Sequence, residues 1–158
     1  MVTIQILCVG KLKEKYLQLA CDEYAKRLGA FCRFSITEIT EERLPDAPSE
    51  AQIQAALKKE GEHLLSLAQG AVISLCIEGK LLSSPQLAAE IERRAVGGAS
   101  AFTFIIGSSF GLSDEVKEKS ALRLSMSPMT FPHQLARVML CEQIYRAFQI
   151  NSNGKYHK

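Results

Sequence analysis

The seven residues from Met126 to Pro132, MSPMTFP, spend unusual types on one short segment. Pro128 and Pro132 bracket Met129, Thr130 and Phe131, and each proline rules out regular helix or strand pairing and stiffens the chain. A stiff loop holds backbone N–H and C=O groups in fixed directions. That suits recognition of a purine edge without charged side chains, while Met126, Met129 and Phe131 could wall a pocket. A second candidate is the turn Gly107-Ser108-Ser109-Phe110-Gly111, which follows an apolar run. Glycine lets the backbone approach a ligand closely, and the helix start after the turn offers free N–H groups. The turn is neither G-x-G-x-x-G nor a Walker A loop. The plainer readings are an ordinary αβ turn and a proline at a helix start.

Other chemistry-bearing residues lie further on. Glu142 and Arg146 stand at i,i+4 and can pair on one helix face. The chain ends Lys155-Tyr156-His157-Lys158. This tail combines a ring that can stack on a base, an imidazole and two cations, although a polar terminus is ordinarily loose. Lys11, Lys13 and Lys15 form a second cationic run. His63 sits among charged residues and reads as solvent-facing, and His133 begins a helix. No Ser-His-Asp set, paired carboxylates or Cys/His metal spacing occurs.

The elements that must position these residues alternate. Val2–Val9, Phe31–Ile39, Ala71–Ile77, Ala101–Ile106 and Ala121–Ser125 have strand character. Helical spacing runs from Lys13 to Leu28, with Gly29 as a C′ residue, and the last helix spans His133–Gln149. Ser49 with Gln52 forms a capping box for a helix reaching Leu67. Ser83 or Ser84 caps the next helix, which has Pro85 in its first turn and ends near Gly97-Gly98. Ser113 caps a short one with Asp114 and Glu115 at its positive end. Strand–helix alternation predicts one α/β domain over 1–158 with a largely parallel sheet, whose ligand loops follow the strands. The last helix is apolar around much of its circumference, so it lies deep or packs on a second subunit.

Composition narrows the function classes. With 158 residues, 47% hydrophobic and 23% charged, the chain can build a real core, and a net charge of +2 does not by itself point to nucleic acid. Five cysteines (Cys8, Cys21, Cys32, Cys76 and Cys141) are scattered; Cys8, Cys76 and Cys141 sit in apolar runs and read as buried thiols, which fits a reducing cytosol. The start, MVTIQILCVG, reads as a strand and not a signal peptide, and no apolar run approaches the roughly 18 residues of a membrane helix.

These segments carry a resemblance. VGKLKEKY at Val9–Tyr16, EYAKRL at Glu23–Leu28, EGKLLSS at Glu78–Ser84, FIIGSSFGL at Phe104–Leu112, MTFPHQLARVMLCEQIYRAF at Met129–Phe148 and the terminal YHK are similar to the RlmH-type SPOUT methyltransferases. Those enzymes methylate N3 of a pseudouridine in 23S ribosomal RNA. The resemblance implies a single SPOUT domain with a carboxy-terminal trefoil knot, an S-adenosyl-L-methionine cofactor, no metal, a homodimer, and a cytoplasmic protein acting on large-subunit rRNA in the ribosome. It assigns cofactor contacts to Leu75, Gly107, Met126, Ser127, Pro128, Met129, Thr130 and Phe131. It makes His157, Tyr156 and Arg146 candidates to orient the base or stabilise its anion. Lys11, Lys13, Lys15 and Lys158 become phosphate contacts. The family usually has Gly-Gly where this chain has Gly107-Ser108, so a positive φ at Ser108 would be strained. The rival is a non-enzymatic α/β module for a nucleotide or RNA, which would have no need of the rigid proline loop.

Overall fold

The computed structural model describes residues 1–158. Ten elements alternate along it: β1 (Thr3–Val9), α1 (Lys15–Leu28), β2 (Arg33–Ile39), α2 (Glu50–Leu67), β3 (Ala71–Leu81), α3 (Ser84–Val96), β4 (Ala101–Ile106), α4 (Asp114–Glu118), β5 (Leu122–Ser125) and α5 (His133–Asn151). The strands form one sheet in the order β2-β1-β4-β3-β5. Every pairing in it is parallel, so the expectation of a largely parallel sheet is met in full. All five strands therefore present their carboxyl ends along one edge.

The helix starts follow the local chemistry of the sequence. Ser49 and Ser83 each accept from the amide three residues on, and Gln52 and Gln86 answer with side chains to the cap amides. Ser113 accepts the Val116 amide at 3.3 Å. The start of α1 comes two residues later than the spacing predicts. The Leu12 amide is held by Glu38 at 2.9 Å and the Leu12 carbonyl by Gln18 Nε2, so Lys11 to Lys13 stay in a loop. Gly29 ends α1 as a right-handed cap at φ −58°, not in the left-handed form a C′ glycine favours.

β3 runs four residues past its expected end. A Cβ at Gly79 would press on the Arg123 and Leu124 backbone at 2.7–2.9 Å, so the absence of a side chain lets the extension lie against β5. The register shifts between Leu75 and Lys80 in doing so. One face of the sheet buries the larger core, from Ile4, Ile6, Phe102 and Phe104 to Leu140 and Ile144 of α5. The other holds a smaller cluster with Leu7, Ile105, Leu64 of α2 and Val116 of α4. Within α5 the buried positions are Arg137, Leu140, Cys141, Ile144 and Ala147, a 3–4 spacing; most of the remaining circumference is half-buried. All five cysteines are buried and free.

Candidate functional site

A cavity of about 710 Å³ opens at the carboxyl edge of the sheet. That volume lies within the ~300–1,000 Å³ typical of small-molecule sites. Leu75 and Cys76 of β3, the Gly107–Gly111 turn after β4, and Leu124 to Ser127 with Met129 to His133 after β5 surround it. Three loops that follow adjacent strands thus converge, as parallel sheets arrange their ligand sites. All but one of the expected cofactor positions line this cavity; Pro128 does not.

The turn depends on glycine at one end. A Cβ at Gly107 would run into the Gly111 carbonyl and the Leu112 side chain, because Ser108 and Gly111 bridge across the turn. Gly111, at φ +92°, takes the left-handed conformation. Ser108 does not, since Asn153 is the only non-glycine residue with positive φ. The strain expected at Ser108 is therefore absent. Its hydroxyl accepts the Phe110 amide at 3.3 Å.

The 126–131 loop is internally stiff. The Met129 amide bonds the Ser127 hydroxyl at 2.9 Å, and the Ser125 hydroxyl donates to the Ser127 carbonyl at 3.2 Å. The Thr130 and Phe131 amides make no backbone bond in the protein and are free for a ligand. Apolar walls from Leu75, Ile106, Leu124 and Met126 suit a flat ring, and the free amides suit its edge. These residues fit an adenosyl group.

Sequence reasoning missed the charged rim. Lys117 Nζ of α4 lies 2.6 Å from Glu78 Oε1, and both residues line the cavity. The hydrogen bond from Lys117 holds the Glu78 carboxyl below its ordinary range, and the same bond raises Lys117. Glu78 lay in the quoted EGK segment, whereas nothing local marks Lys117. His133 and Ala136 at the start of α5 also reach the cavity.

Arg146, Tyr156 and His157 come together, but elsewhere. Tyr156 donates to Glu142 Oε1 at 2.8 Å, Arg146 donates to Glu142 at 2.8 and 3.3 Å, and Arg146 Nη1 lies 3.0 Å from His157 Nδ1. Tyr156 packs edge-on to Tyr145 at 4.9 Å, and the Arg146 guanidinium stands 4.7 Å from its ring centre. The tail is thus folded onto α5, which corrects the expectation of a loose terminus. The hydrogen bond to Glu142 pushes the Tyr156 phenol up to about 12, with burial adding to it. Arginine has only donors, so His157 Nδ1 is the acceptor and Nε2 carries the hydrogen.

This cluster sits at the other end of α5. Ala136 lines the cavity, and ten residues separate it from Arg146, about 15 Å along a helix. Near the same end, Phe148 stacks on Phe31, just before β2, and Asn151 bonds the Ala88 carbonyl. Within one chain the trio is therefore remote from the cavity. Lys11, Lys13 and Lys15 are exposed at the carboxyl end of β1, on the cavity's edge of the sheet, and Lys158 is exposed at the terminus.

A family model described as "Predicted SPOUT methyltransferase" matches residues 2–157. A protein of Exiguobacterium sibiricum named "Ribosomal RNA large subunit methyltransferase H" is 48% identical over 157 residues, covering 98% of this chain and 99% of that one. A protein of the same name from Streptococcus thermophilus matches with the same identity and coverage. Among solved structures, a probable methylase family protein from Haemophilus influenzae Rd KW20 shares the fold, with a TM-score of 0.55 at 15% identity, covering 98% of this chain and 70% of that one.

Proposed function

The chain belongs to the SPOUT methyltransferase family, and on that premise we propose that it methylates N3 of a pseudouridine in 23S ribosomal RNA on the ribosome. The observation that carries this reading is the cavity framed by the Gly107 turn and the Met126–Phe131 loop, in a chain 48% identical to named ribosomal RNA methyltransferases. Its cofactor is S-adenosyl-L-methionine, which when bound supplies a sulfonium-activated methyl group and leaves as a neutral thioether. Activation by the sulfonium makes a metal unnecessary to the reaction.

The chain's own residues have three tasks. Leu75, Gly107, Met126, Ser127, Met129, Thr130 and Phe131 hold the cofactor, with Pro128 stiffening the loop behind them and the free Thr130 and Phe131 amides reading the adenine edge. Arg146, Tyr156 and His157 orient the pseudouridine and stabilise the anion left when N3 loses its proton. Tyr156 is held protonated with its hydrogen given to Glu142, and His157 presents an N–H at Nε2, so His157 acts as a donor and neither is the base in this arrangement. Lys11, Lys13, Lys15 and Lys158 meet phosphates.

The separation along α5 supports a homodimer. A two-fold partner with its α5 antiparallel would carry one subunit's tail toward the other's cavity. Tyr16 and Leu19 of α1 and Leu135 of α5 are exposed and apolar, as a contact surface requires. The reading includes one domain over 1–158, a trefoil knot in the carboxy-terminal region and a place in the cytoplasm with the ribosome. No helix is long and apolar enough to cross a membrane.

The test is incubation with labelled S-adenosylmethionine and ribosomes from a strain lacking the gene. One methyl at N3 of a pseudouridine of 23S rRNA is expected, and no transfer to rRNA would overturn the reading. Light scattering at micromolar concentration tests the dimer, and a monomer mass throughout that range rejects it.

A further inference from the structure

Behind the cofactor turn stands a carboxylate for which the mechanism has no use. Glu60 of α2 is 4% exposed. Its Oε2 accepts the Glu42 amide at 2.9 Å, while its Oε1 has no hydrogen-bond partner. The carboxylates of Glu41 and Glu42 lie close enough to add to the pull of burial against its charge. A buried carboxylate in that company weakens folding unless a donor reaches it.

The packing brings the cavity turn up against this part of α2. Gly61, the next residue, lets α2 lie flush on α4: a Cβ there would overlap the Ser113 hydroxyl and come within 3.1 Å of Val116 Cγ2. Helix α2 therefore seats directly against the segment that leaves the turn. Ser108 is itself 8% exposed, and its hydroxyl is among the groups that lower the Glu60 carboxyl against the upward pull of burial. Its hydroxyl already accepts the Phe110 amide at 3.3 Å and has its own hydrogen to give. Gly107, Ser108, Phe110 and Gly111 all line the cavity.

We propose that Glu60 is a positioning residue for cofactor binding: its free Oε1 takes the hydrogen of the Ser108 hydroxyl, and the relay Glu60–Ser108–Phe110 N–H fixes the Gly107–Gly111 turn in its ligand-ready shape. The carboxylate reaches the cofactor only through Ser108. The inference rests on the reading of this cavity as the S-adenosylmethionine site.

The experiment compares Ser108→Ala, Glu60→Leu, the double variant and Glu60→Gln with the wild type. It reads S-adenosylmethionine affinity by calorimetry, Phe110 amide exchange by NMR, and the thermal midpoint. Loss of one hydrogen bond predicts affinity about fivefold weaker in each of the first two. The double variant should be no weaker than Glu60→Leu alone, because both changes break one relay. Glu60→Gln should restore affinity, since its amide oxygen can serve Glu42 and its N–H can serve Ser108. Phe110 exchange should quicken in Ser108→Ala and in Glu60→Leu and return in Glu60→Gln.

Unchanged affinity and exchange in Ser108→Ala would overturn the proposal, as would multiplicative losses in the double variant. Should Glu60→Leu fail to fold, Ser108→Ala and Glu60→Gln still decide it through Phe110 exchange. A wild type that binds no S-adenosylmethionine would reject the cofactor reading, and with it the assigned role of Glu60 in binding. Amide exchange would then report separately whether the relay itself exists.

Discussion

The Tyr156 hydroxyl and an Arg146 guanidinium nitrogen meet the same oxygen, Glu142 Oε1, each at 2.8 Å. Glu142 thereby organises two of the three residues assigned to the base, and through Arg146 it also reaches His157 at 3.0 Å. Glu142→Gln keeps the shape but removes the charge that draws the cation and the phenol together. Hydrogen bonds to charged groups are worth about 1.5–3 kcal/mol, so methyl transfer should fall at least tenfold. Cofactor affinity should not change, because Glu142 lies outside the cavity lining, six residues or about 9 Å along α5 from Ala136. Parallel calorimetry and ribosome methylation check this, and equal losses in both would reject it.

Deleting Tyr156 to Lys158 should abolish methyl transfer and leave cofactor binding intact. Stability should also fall, by about 1–2 kcal/mol, because the Tyr145–Tyr156 edge contact and the Arg146–Tyr156 stack both disappear. Thermal unfolding of the truncated chain measures it. An unchanged midpoint would mean that the folded-back tail contributes nothing to the fold.

Gly107→Ala should suffice to disrupt binding. The added methyl meets the Gly111 carbonyl and Leu112, so the turn must open. Calorimetry should find S-adenosylmethionine affinity reduced by more than tenfold in a folded variant. Retained affinity would move the cofactor away from this turn.

Burial raises the Glu60 carboxyl, with Glu41 and Glu42 pushing the same way against the Glu42 amide and Ser108. A raised folded pKa means that the folded state favours the proton. The stability this contributes is complete below the unfolded value near 4.5 and is lost as pH rises through the folded value. Glu60→Gln cannot ionise, so its thermal midpoint relative to wild type should improve between pH 4.5 and neutrality. A difference independent of pH would show that the charge carries no such penalty.

Arg137 of α5 is buried, with its guanidinium 2.5 Å from Glu38 and 3.3 Å from the Gly10 carbonyl. Its Nε has no partner. Burial pulls Glu38 up, but the bonds from Arg137 and the Leu12 amide outweigh it and the net direction is down. That contribution is present above the unfolded carboxylate value and is lost as pH falls through the folded one. Glu38→Gln leaves the arginine buried without its counter-charge and should cost about 3 kcal/mol, at the lower end for a buried pair because Glu38 is partly exposed. Denaturant unfolding at neutral pH measures the loss, which should shrink in acid.

Much of the fold was legible along the chain because its signals are local. Apolar or alternating runs marked the five strands, and the bounds of β4 match residue for residue. The caps at Ser49 and Ser113 follow from a hydroxyl and an amide three residues apart, a relation that periodicity exposes. Proline placement and glycine in the turn marked the two loops that line the cavity for the same reason. The extension of β3 past Ile77 was hidden, since it depends on β5 lying alongside a side-chain-free Gly79.

The residue pattern by itself determined the element types, the serine-capped helix starts and the two loops that could hold a ligand, because each rests on neighbours within a turn or a strand. Only the tertiary structure decided what those loops face. Glu38 and Arg137 stand 99 positions apart, and Lys117 meets Glu78 from a different element. Such contacts depend on the strand order and on which face each helix covers, which spacing along the chain does not encode. The tail shows the difference most directly. Its composition is that of a loose terminus, but Tyr145, Glu142 and Arg146 on one helix offer a ring, a carboxylate and a cation at the spacing that Tyr156 and His157 can reach.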